Sequence, residues 1–186
     1  MLKPLQQRKL IRLFNIYDAD NSGEVNRFDF ELLAYKLGRG KPWSVLRDLK
    51  AKYLDLWREL REIADKNEDD RINLDEWLEA YDKLISSGKL EKVILDLTQG
   101  FLQLFDADQN GHITIDEYFD FAIAYDLFGD PYQAGSFPHH KFEEAFTKLD
   151  LKQNGYIDLE QLRQLNRDFF YSDDPSCPGN WLFGWY

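Results

Sequence analysis

The residues of this chain that could do chemistry are concentrated in twelve-residue stretches such as DADQNGHITIDE, at 106–117. Oxygen-bearing side chains stand at positions 1, 3, 5 and 12 of this stretch and a glycine at position 6; they are Asp106, Asp108, Asn110, Glu117 and Gly111. Glycine allows a sharp left-handed turn that brings alternate side chains onto one point. Calcium prefers about six to eight oxygen ligands at ~2.3–2.6 Å, with the carbonyl at position 7 and the group at position 9 completing such a set. The spacing therefore predicts a calcium site.

The stretch satisfies the EF-hand loop pattern D-x-[DN]-x-[DN]-G-x5-E at every specified position. A solvated acidic turn is the plainer alternative. The flanking segments argue against it, because apolar and aromatic residues stand on both sides of the stretch, as core-facing helices require.

The same frame recurs three more times. The four loops, numbered 1 to 4 in chain order, occupy residues 18–29, 65–76, 106–117 and 150–161. Their first residues lie 47, 41 and 44 positions apart, which leaves room for a helix on each side of every loop. Position 8 is β-branched in each loop, the residue type that a short strand contact between paired loops favours; these residues are Val25, Ile72, Ile113 and Ile157.

The repeat predicts an all-α fold of four EF-hand helix–loop–helix units, packed as two pairs with eight helices. Helix-breaking segments are expected at residues 37–42, 86–88 and 128–138. The predicted division is a first EF-hand pair, a second EF-hand pair and a C-terminal tail, at residues 1–88, 89–171 and 172–186. Trp43 to Ala64 is predicted as one long helix with Ser44 as its N-cap, and a further helix is expected to begin at His139 and His140.

The first three loops carry plausible ligand sets. We expect metal binding by Asp18, Asp20, Ser22, Glu24, Asp29, Asp65, Asn67, Asp69, Arg71, Glu76, Asp106, Asp108, Asn110, His112 and Glu117. At position 7 the ligand is the backbone carbonyl, which applies to Glu24, Arg71 and His112. Position 9 contributes directly or through water and is held by Asn26, Asn73 and Thr114.

The loops differ at single positions. Asp29 is one methylene shorter than the glutamate expected at position 12, which predicts weaker calcium affinity or mixed calcium and magnesium occupancy at loop 1. Asp70 replaces the glycine of loop 2, and strain of ~1–2 kcal/mol would weaken affinity roughly tenfold. Loop 3 should bind most tightly. In loop 4 Lys152 at position 3 and Gln161 at position 12 should prevent binding, which leaves three sites and makes loop 4 a structural partner of loop 3.

Composition limits the partners and the compartment. The net charge is −11, which argues against nucleic acid or an anionic membrane as a partner. Three bound divalent ions would add +6 and bring this charge to −5. Cys177 is the only cysteine, the N-terminus lacks the features of a signal peptide, and no apolar run approaches the ~20 residues of a membrane span. These features predict a cytoplasmic protein without a membrane span.

The residue types favour a calcium buffer over a sensor. Sensors open a groove that is commonly lined with methionine, and Met1 is the only methionine here. The 14 Phe, 10 Tyr and 5 Trp pack instead in fixed geometries. A sensor that regulates a protein target is the alternative. No Cys–His or Ser–His pair has a catalytic context, so we expect neither an enzyme nor catalytic residues.

The segments RKLIRLFNIYDADNSG at 8–23 and DFFYSDDPSCPGNWLFG at 168–184, together with the four units and the altered fourth loop, resemble the sarcoplasmic calcium-binding proteins. Calexcitin and calerythrin are similar relatives. The resemblance implies a compact cytoplasmic buffer of calcium and magnesium with its C-terminal tail packed on the body. Trp181, Leu182 and Phe183 would dock on the core, and the calexcitin-like relatives imply a signalling role as the alternative.

The segment FFYSDDPSC at 169–177 is also similar to the tail of aequorin-type photoproteins, which hold coelenterazine in an aromatic cavity. Those proteins keep loops 1, 3 and 4 and lose the second, whereas this chain keeps the second and loses the fourth. They use a histidine just before the tail, where this chain has Asn166. We therefore expect no luminescence, while binding of an apolar ligand in the core stays open.

Overall fold

The eight predicted helices are all present in the structure, a computed structural model that describes residues 1–128 and 138–184 apart from the side chains of residues 93, 96 and 97. The α-helices are α1 (Pro4–Tyr17), α2 (Arg27–Gly38), α3 (Trp43–Ala64), α4 (Leu74–Ser87), α5 (Leu90–Phe105), α6 (Ile115–Ala124), α7 (His139–Leu149) and α8 (Leu159–Tyr171). A 3-10 turn, Pro178–Trp181, follows α8. This confirms the all-α fold and the helix that begins at His139. Most of the break predicted at 128–138 lies outside the described residues.

The long helix α3 has the predicted bounds but a different N-terminal cap. Pro42 is the N-cap, and Ser44 lies in the first turn, so the prediction for Ser44 was wrong. The reason is the backbone of Pro42, which has φ −56° and whose carbonyl accepts the Leu46 N–H at 3.1 Å. Proline fixes φ near the value that this junction requires, and it starts the helix without a side-chain cap.

Short antiparallel ladders join the loops in pairs. Strands β1 (Glu24–Asn26) and β2 (Arg71–Asn73) place Val25 opposite Ile72, and β3 (His112–Thr114) and β4 (Tyr156–Asp158) place Ile113 opposite Ile157. These four β-branched side chains are at most 1% exposed. The predicted pairing of loop 1 with loop 2, and of loop 3 with loop 4, is confirmed. The chain positions that divide the pairs and the tail remain a prediction.

Aromatic contacts cross between the two EF-hand pairs. The hydroxyls of Tyr53 in α3 and Tyr125 after α6 lie 2.6 Å apart in the interior. The Tyr17 ring also contacts Tyr125, with centroids 6.4 Å apart, and Tyr81 of α4 stacks on Phe170 of α8 at 5.5 Å. Both pairs therefore contribute to one aromatic core.

The C-terminal tail packs on the body, as the resemblance implied. Leu182 and Phe183 are 1% and 9% exposed, and Trp181 is half-buried. Gly179 permits this packing, because a Cβ at that position would clash with Cβ of Asp168 and with backbone atoms of α8.

Two cations of α1 also hold the tail. Lys9 is 1% exposed, and its ammonium donates to the Ser172 carbonyl at 2.8 Å and to Asn180 Oδ1 at 3.0 Å. Arg12 donates to the Phe183 carbonyl at 3.2 Å. The tail is therefore fixed by buried hydrogen bonds to charged groups as well as by apolar packing.

None of the described helices combines the length and the hydropathy needed to cross a bilayer.

Candidate metal sites

Each loop is curled by the same backbone hydrogen bonds. In loop 3 the Asn110 N–H donates to Asp106 Oδ1 at 3.0 Å, and the Gly111 N–H donates to Asp106 Oδ2 at 2.8 Å. The equivalent bonds of loops 1, 2 and 4 span 2.7–3.2 Å. The carboxylate at position 1 therefore holds the turn around the point where alternate side chains converge.

The left-handed turn at position 6 is present in all four loops. Gly23, Gly111 and Gly155 have φ between 81° and 87°, and Asp70 takes the same conformation at φ 63°. Position 4 also has positive φ in every loop, at 52–59°, which the sequence analysis missed; these residues are Asn21, Glu68, Gln109 and Gln153. The available signal was that no loop has a β-branched residue at position 4, since such residues avoid this conformation.

The closing residue of each loop also caps the following helix. Position 9 is the N-cap and position 12 the third residue of that helix, and the two form reciprocal capping boxes. In loop 3, for example, the Thr114 N–H donates to Glu117 Oε2 at 2.9 Å. Helix formation thereby orients the side chain at position 12, a carboxylate in loops 1 to 3 and the amide of Gln161 in loop 4, towards the loop.

Loop 1 gathers three carboxylates. Oxygens of Asp18, Asp20 and Asp29 lie within 4.8 Å of one another. Asp29 is fully buried and bridges the loop, because its oxygens accept the Asp20 N–H at 3.3 Å and the Asn26 N–H at 2.8 Å. Burial raises the pKa of the Asp29 carboxyl, and repulsion from Asp20 and Asp18 adds to this effect. A divalent cation would offset the repulsion, so the donor set fits one.

Loop 3 gathers a second cluster. Oxygens of Asp106, Asp108 and Glu117 lie within 4.8 Å of one another. The second carboxylate oxygen of Glu117 reaches the Ala107 N–H at 2.7 Å, so the longer side chain spans the loop as Asp29 does in loop 1. Asn110 adds an amide oxygen at position 5. These hard oxygen donors fit calcium.

In loops 1 and 3 the side chain at position 5 is hydrogen-bonded to the backbone of position 7. Ser22 Oγ donates to the Glu24 carbonyl at 3.0 Å, and the His112 N–H donates to Asn110 Oδ1 at 2.8 Å. The imidazole of His112 instead packs on the ring of Tyr156, with centroids 4.0 Å apart. The side chain of His112 therefore belongs to the ladder contact between loops 3 and 4.

Loop 2 is less closed. Its carboxylates, Asp65, Asp69 and Glu76, are not among the clusters that form within 4.8 Å in the described part of the chain. Asp69 accepts the Arg71 N–H at 2.9 Å and the Asn67 amide at 3.0 Å. The curl of the loop is nevertheless the same, and its five predicted donors occupy equivalent positions. The structure thus brings together the acidic ligands of loops 1 and 3 more closely than those of loop 2.

Loop 4 carries its own cation. Lys152 Nζ lies 2.6 Å from Asp158 Oδ2 and 3.4 Å from Glu160 Oε2. Hydrogen bonding to Asp158 raises the pKa of Lys152, so the amine stays charged. The amide of Gln161 donates to Asp150 Oδ1 at 3.4 Å. The donors of loop 4 are therefore occupied by side chains of the loop itself.

Both a family model and whole-length relatives match the sequence of this chain. The EF hand family model matches residues 99–121 and 142–166. The alpha chain of the sarcoplasmic calcium-binding protein of Penaeus vannamei is 27% identical over 91% of this chain and 89% of its own length. Calexcitin-1 of Caenorhabditis elegans is 29% identical over 97% of this chain and 87% of its own length.

Two solved structures share the fold over their whole length. They are a sarcoplasmic calcium-binding protein from amphioxus, with TM-score 0.74, and a calcium-loaded coelenterazine-binding protein from Renilla muelleri, with TM-score 0.77. Both are 19% identical and cover 100% of each chain, so they establish the fold alone.

Four helix–loop–helix units with oxygen-lined loops place the chain among the EF-hand calcium-binding proteins. Within that class it is a homologue of the sarcoplasmic calcium-binding proteins and of calexcitin, with which it aligns over about nine-tenths of its length or more.

Proposed function

We propose that this protein is a cytosolic calcium and magnesium buffer that binds divalent ions at loops 1, 2 and 3. The observation that carries the proposal is the contrast between loops 1 and 3, where carboxylate clusters need a cation, and loop 4, where Lys152 already supplies one. Loop 2 joins the binding loops because its curl and its five donors match theirs. An ion would draw its carboxylates together.

Magnesium fits loop 1 better than it fits loop 3. Magnesium requires near-octahedral coordination by six oxygens, and calcium accepts six to eight. Asp29 and Glu117 each bridge the two ends of their loop through both carboxylate oxygens, but Asp29 is one methylene shorter and reaches less far towards an ion. A smaller coordination number and a tighter shell therefore suit loop 1.

The rigid core supports a buffer rather than a sensor. A sensor must separate its paired helices to expose an apolar groove on loading. Here the Tyr53–Tyr125 hydroxyl bond, the Tyr17–Tyr125 contact and the Tyr81–Phe170 stack would have to break, since they join the two EF-hand pairs. The docked tail adds buried hydrogen bonds that oppose the same movement.

The test is the apolar surface that appears on loading. An apolar fluorescent dye should bind the protein almost equally with and without calcium, while calcium should raise the midpoint of thermal unfolding because it binds only the folded form. A large calcium-induced rise in dye binding would reject the buffer. It would support the second candidate, a calexcitin-like sensor with a protein target, which the similarity to calexcitin-1 favours.

A coelenterazine photoprotein is the less favoured candidate. Asn166 stands where those proteins use a histidine, and its buried amide donates to Thr98 Oγ1 at 3.2 Å and to the Leu162 carbonyl at 3.0 Å. Incubation with coelenterazine followed by calcium should give no light. A flash would overturn this assignment.

A further inference from the structure

The connection between α2 and α3 forms an exposed protrusion. Seven consecutive residues, 39–45, are all solvent-exposed, and we call them the hairpin tip. Within it, Trp43 is 76% exposed and Val45 is 39% exposed. Gly38 lets α3 approach α2 closely just behind the tip, because a Cβ there would lie against the Leu46 side chain. The protrusion therefore stands on two helices that are packed tightly together.

The charge around the tip is opposite to that of the whole protein. Residues 36–52 contain six basic side chains and one acidic side chain, Asp48, which gives this segment a net charge of +5 and leaves −16 on the rest of the chain. The six are Lys36, Arg39, Lys41, Arg47, Lys50 and Lys52. Arg47 pairs with Asp48 and Lys50 with Glu31. The other four have no ion-pair partner within the described residues, so their charge is available to a ligand.

The acidic loops lie far from this charge. Helix α2 has 12 residues and α3 has 22, and both run from the tip to a metal loop. At a rise of ~1.5 Å per residue they separate the tip from loops 1 and 2 by about 18 Å and 33 Å. The Debye length at physiological ionic strength is about 8 Å, so the negative field of the loops is largely screened at the tip. The overall charge of −11 therefore does not prevent the tip from meeting an anionic surface.

We propose that the hairpin tip docks on an anionic phospholipid membrane surface. Trp43 would lie at the boundary between headgroups and acyl chains, which tryptophan favours, and Lys36, Arg39 and Lys41 would contact lipid phosphates. A membrane fits this site better than an acidic peptide does, because all seven residues of the tip are exposed and an exposed tryptophan stands among the basic side chains. The membrane is touched and not crossed.

The test is co-sedimentation with phosphatidylcholine vesicles that contain or lack phosphatidylserine. The protein should bind the anionic vesicles, bind the neutral ones much more weakly, and dissociate at high ionic strength. Arg39→Gln with Lys41→Gln should weaken binding about 25-fold, since each basic side chain near such a surface is worth about fivefold. Trp43→Ala should weaken it on the order of tenfold.

Matched controls separate the tip from general effects. Ile63→Ala removes another exposed apolar side chain, 41% exposed, from the opposite end of α3 and outside the loops. Lys92→Gln with Arg163→Gln removes two exposed charges from α5 and α8. Both controls should bind vesicles like the parent protein. Calcium stoichiometry should be the same in all variants, so loss of vesicle binding leaves the metal-binding proposal untouched.

Equal binding to anionic and neutral vesicles would overturn the proposal, as would losses in the controls that match those in the tip variants. Vesicle binding that requires calcium and survives Trp43→Ala would assign the contact to another surface. Binding to polyglutamate without binding to anionic vesicles would reassign the tip to an acidic peptide.

Discussion

At the scale of single residues, the four loops share one backbone conformation but differ in the side chains at the metal-facing positions. Loops 1 and 3 have clustered carboxylates, and loop 4 has the ammonium of Lys152. The ammonium of Lys152 and the amide of Gln161 make the internal contacts of loop 4, whereas the carboxylates of loops 1 and 3 face one another. We therefore propose that these two side chains decide whether a loop of this frame binds an ion. The curl alone does not decide it, because the bonds to position 1 are the same in all four loops.

Replacing the two blocking residues should create a fourth site. Lys152→Asp with Gln161→Glu supplies the ligands that positions 3 and 12 lack, so calorimetric calcium stoichiometry should rise by one relative to the parent. Either single change should fall short of a full additional site, because each leaves one defect. A correctly folded double variant with unchanged stoichiometry would show that side chains at these positions do not block binding.

Exchanging the residue types at position 6 of loops 2 and 3 should shift the calcium affinities of these loops in opposite directions. Asp70→Gly relieves left-handed strain and should raise the calcium affinity of loop 2 about tenfold, and Gly111→Asp should lower that of loop 3 by a similar factor. The Arg61–Asp70 ion pair is lost in the first variant, but it is exposed and is worth little. Site-resolved titration by NMR measures both changes. Equal affinities before and after would mean that Asp70 carries no strain.

At the scale of elements, the sequence predicted the features that depend on residues close together in the chain or on the repeated loop spacing. The Trp43–Ala64 helix and the Ile113–Ile157 pairing follow from spacing alone, and both were predicted. The proline cap of α3 was missed because serine is the stronger statistical cap, whereas the fixed φ of Pro42 decided the start. The contacts of Lys9 could not be predicted, since they join residues more than 150 positions apart.

The same limit applies to the candidate sites. Motif spacing predicted candidate donors at positions 1, 3, 5 and 12, and the structure gathers the carboxylates among them in loops 1 and 3. The left-handed position 4 and the wider separation of the loop 2 carboxylates depend on backbone angles and on competing hydrogen bonds, such as the bond from Arg71 to Asp69. The motif does not encode those.

The free energy of unfolding should depend on pH through Lys9, which joins α1 to the tail. Burial lowers the pKa of Lys9 from its ordinary 10.5 to about 8. Between these values the unfolded chain binds more protons than the folded protein, so this group makes the free energy of unfolding rise with pH, by up to about 1.4 kcal/mol per pH unit. Below a pH of about 8 both states are protonated and the contribution is constant.

Urea unfolding measured from pH ~8 to ~9.5 tests this expectation below the ordinary pKa of unfolded tyrosine. Lys9→Met should have a smaller increase of stability with pH than the parent protein over that range. Identical pH slopes for the two proteins would contradict a depressed pKa at Lys9.

At the scale of the whole molecule, one aromatic core ties the two EF-hand pairs and the tail together. Ion binding at the loops then acts on a body whose helices are already packed, which suits a protein that stores ions. Charge is divided across the molecule, with acidic loops at one end of α2 and α3 and a basic tip at the other. Ion storage and surface docking would therefore use separate parts of the same helices.

Calorimetric titration of the metal-free protein with calcium tests the central claim most directly. The account predicts three calcium ions per chain, bound at loops 1, 2 and 3, and none at loop 4. A stoichiometry of two or four, or no uptake at millimolar calcium, would contradict it.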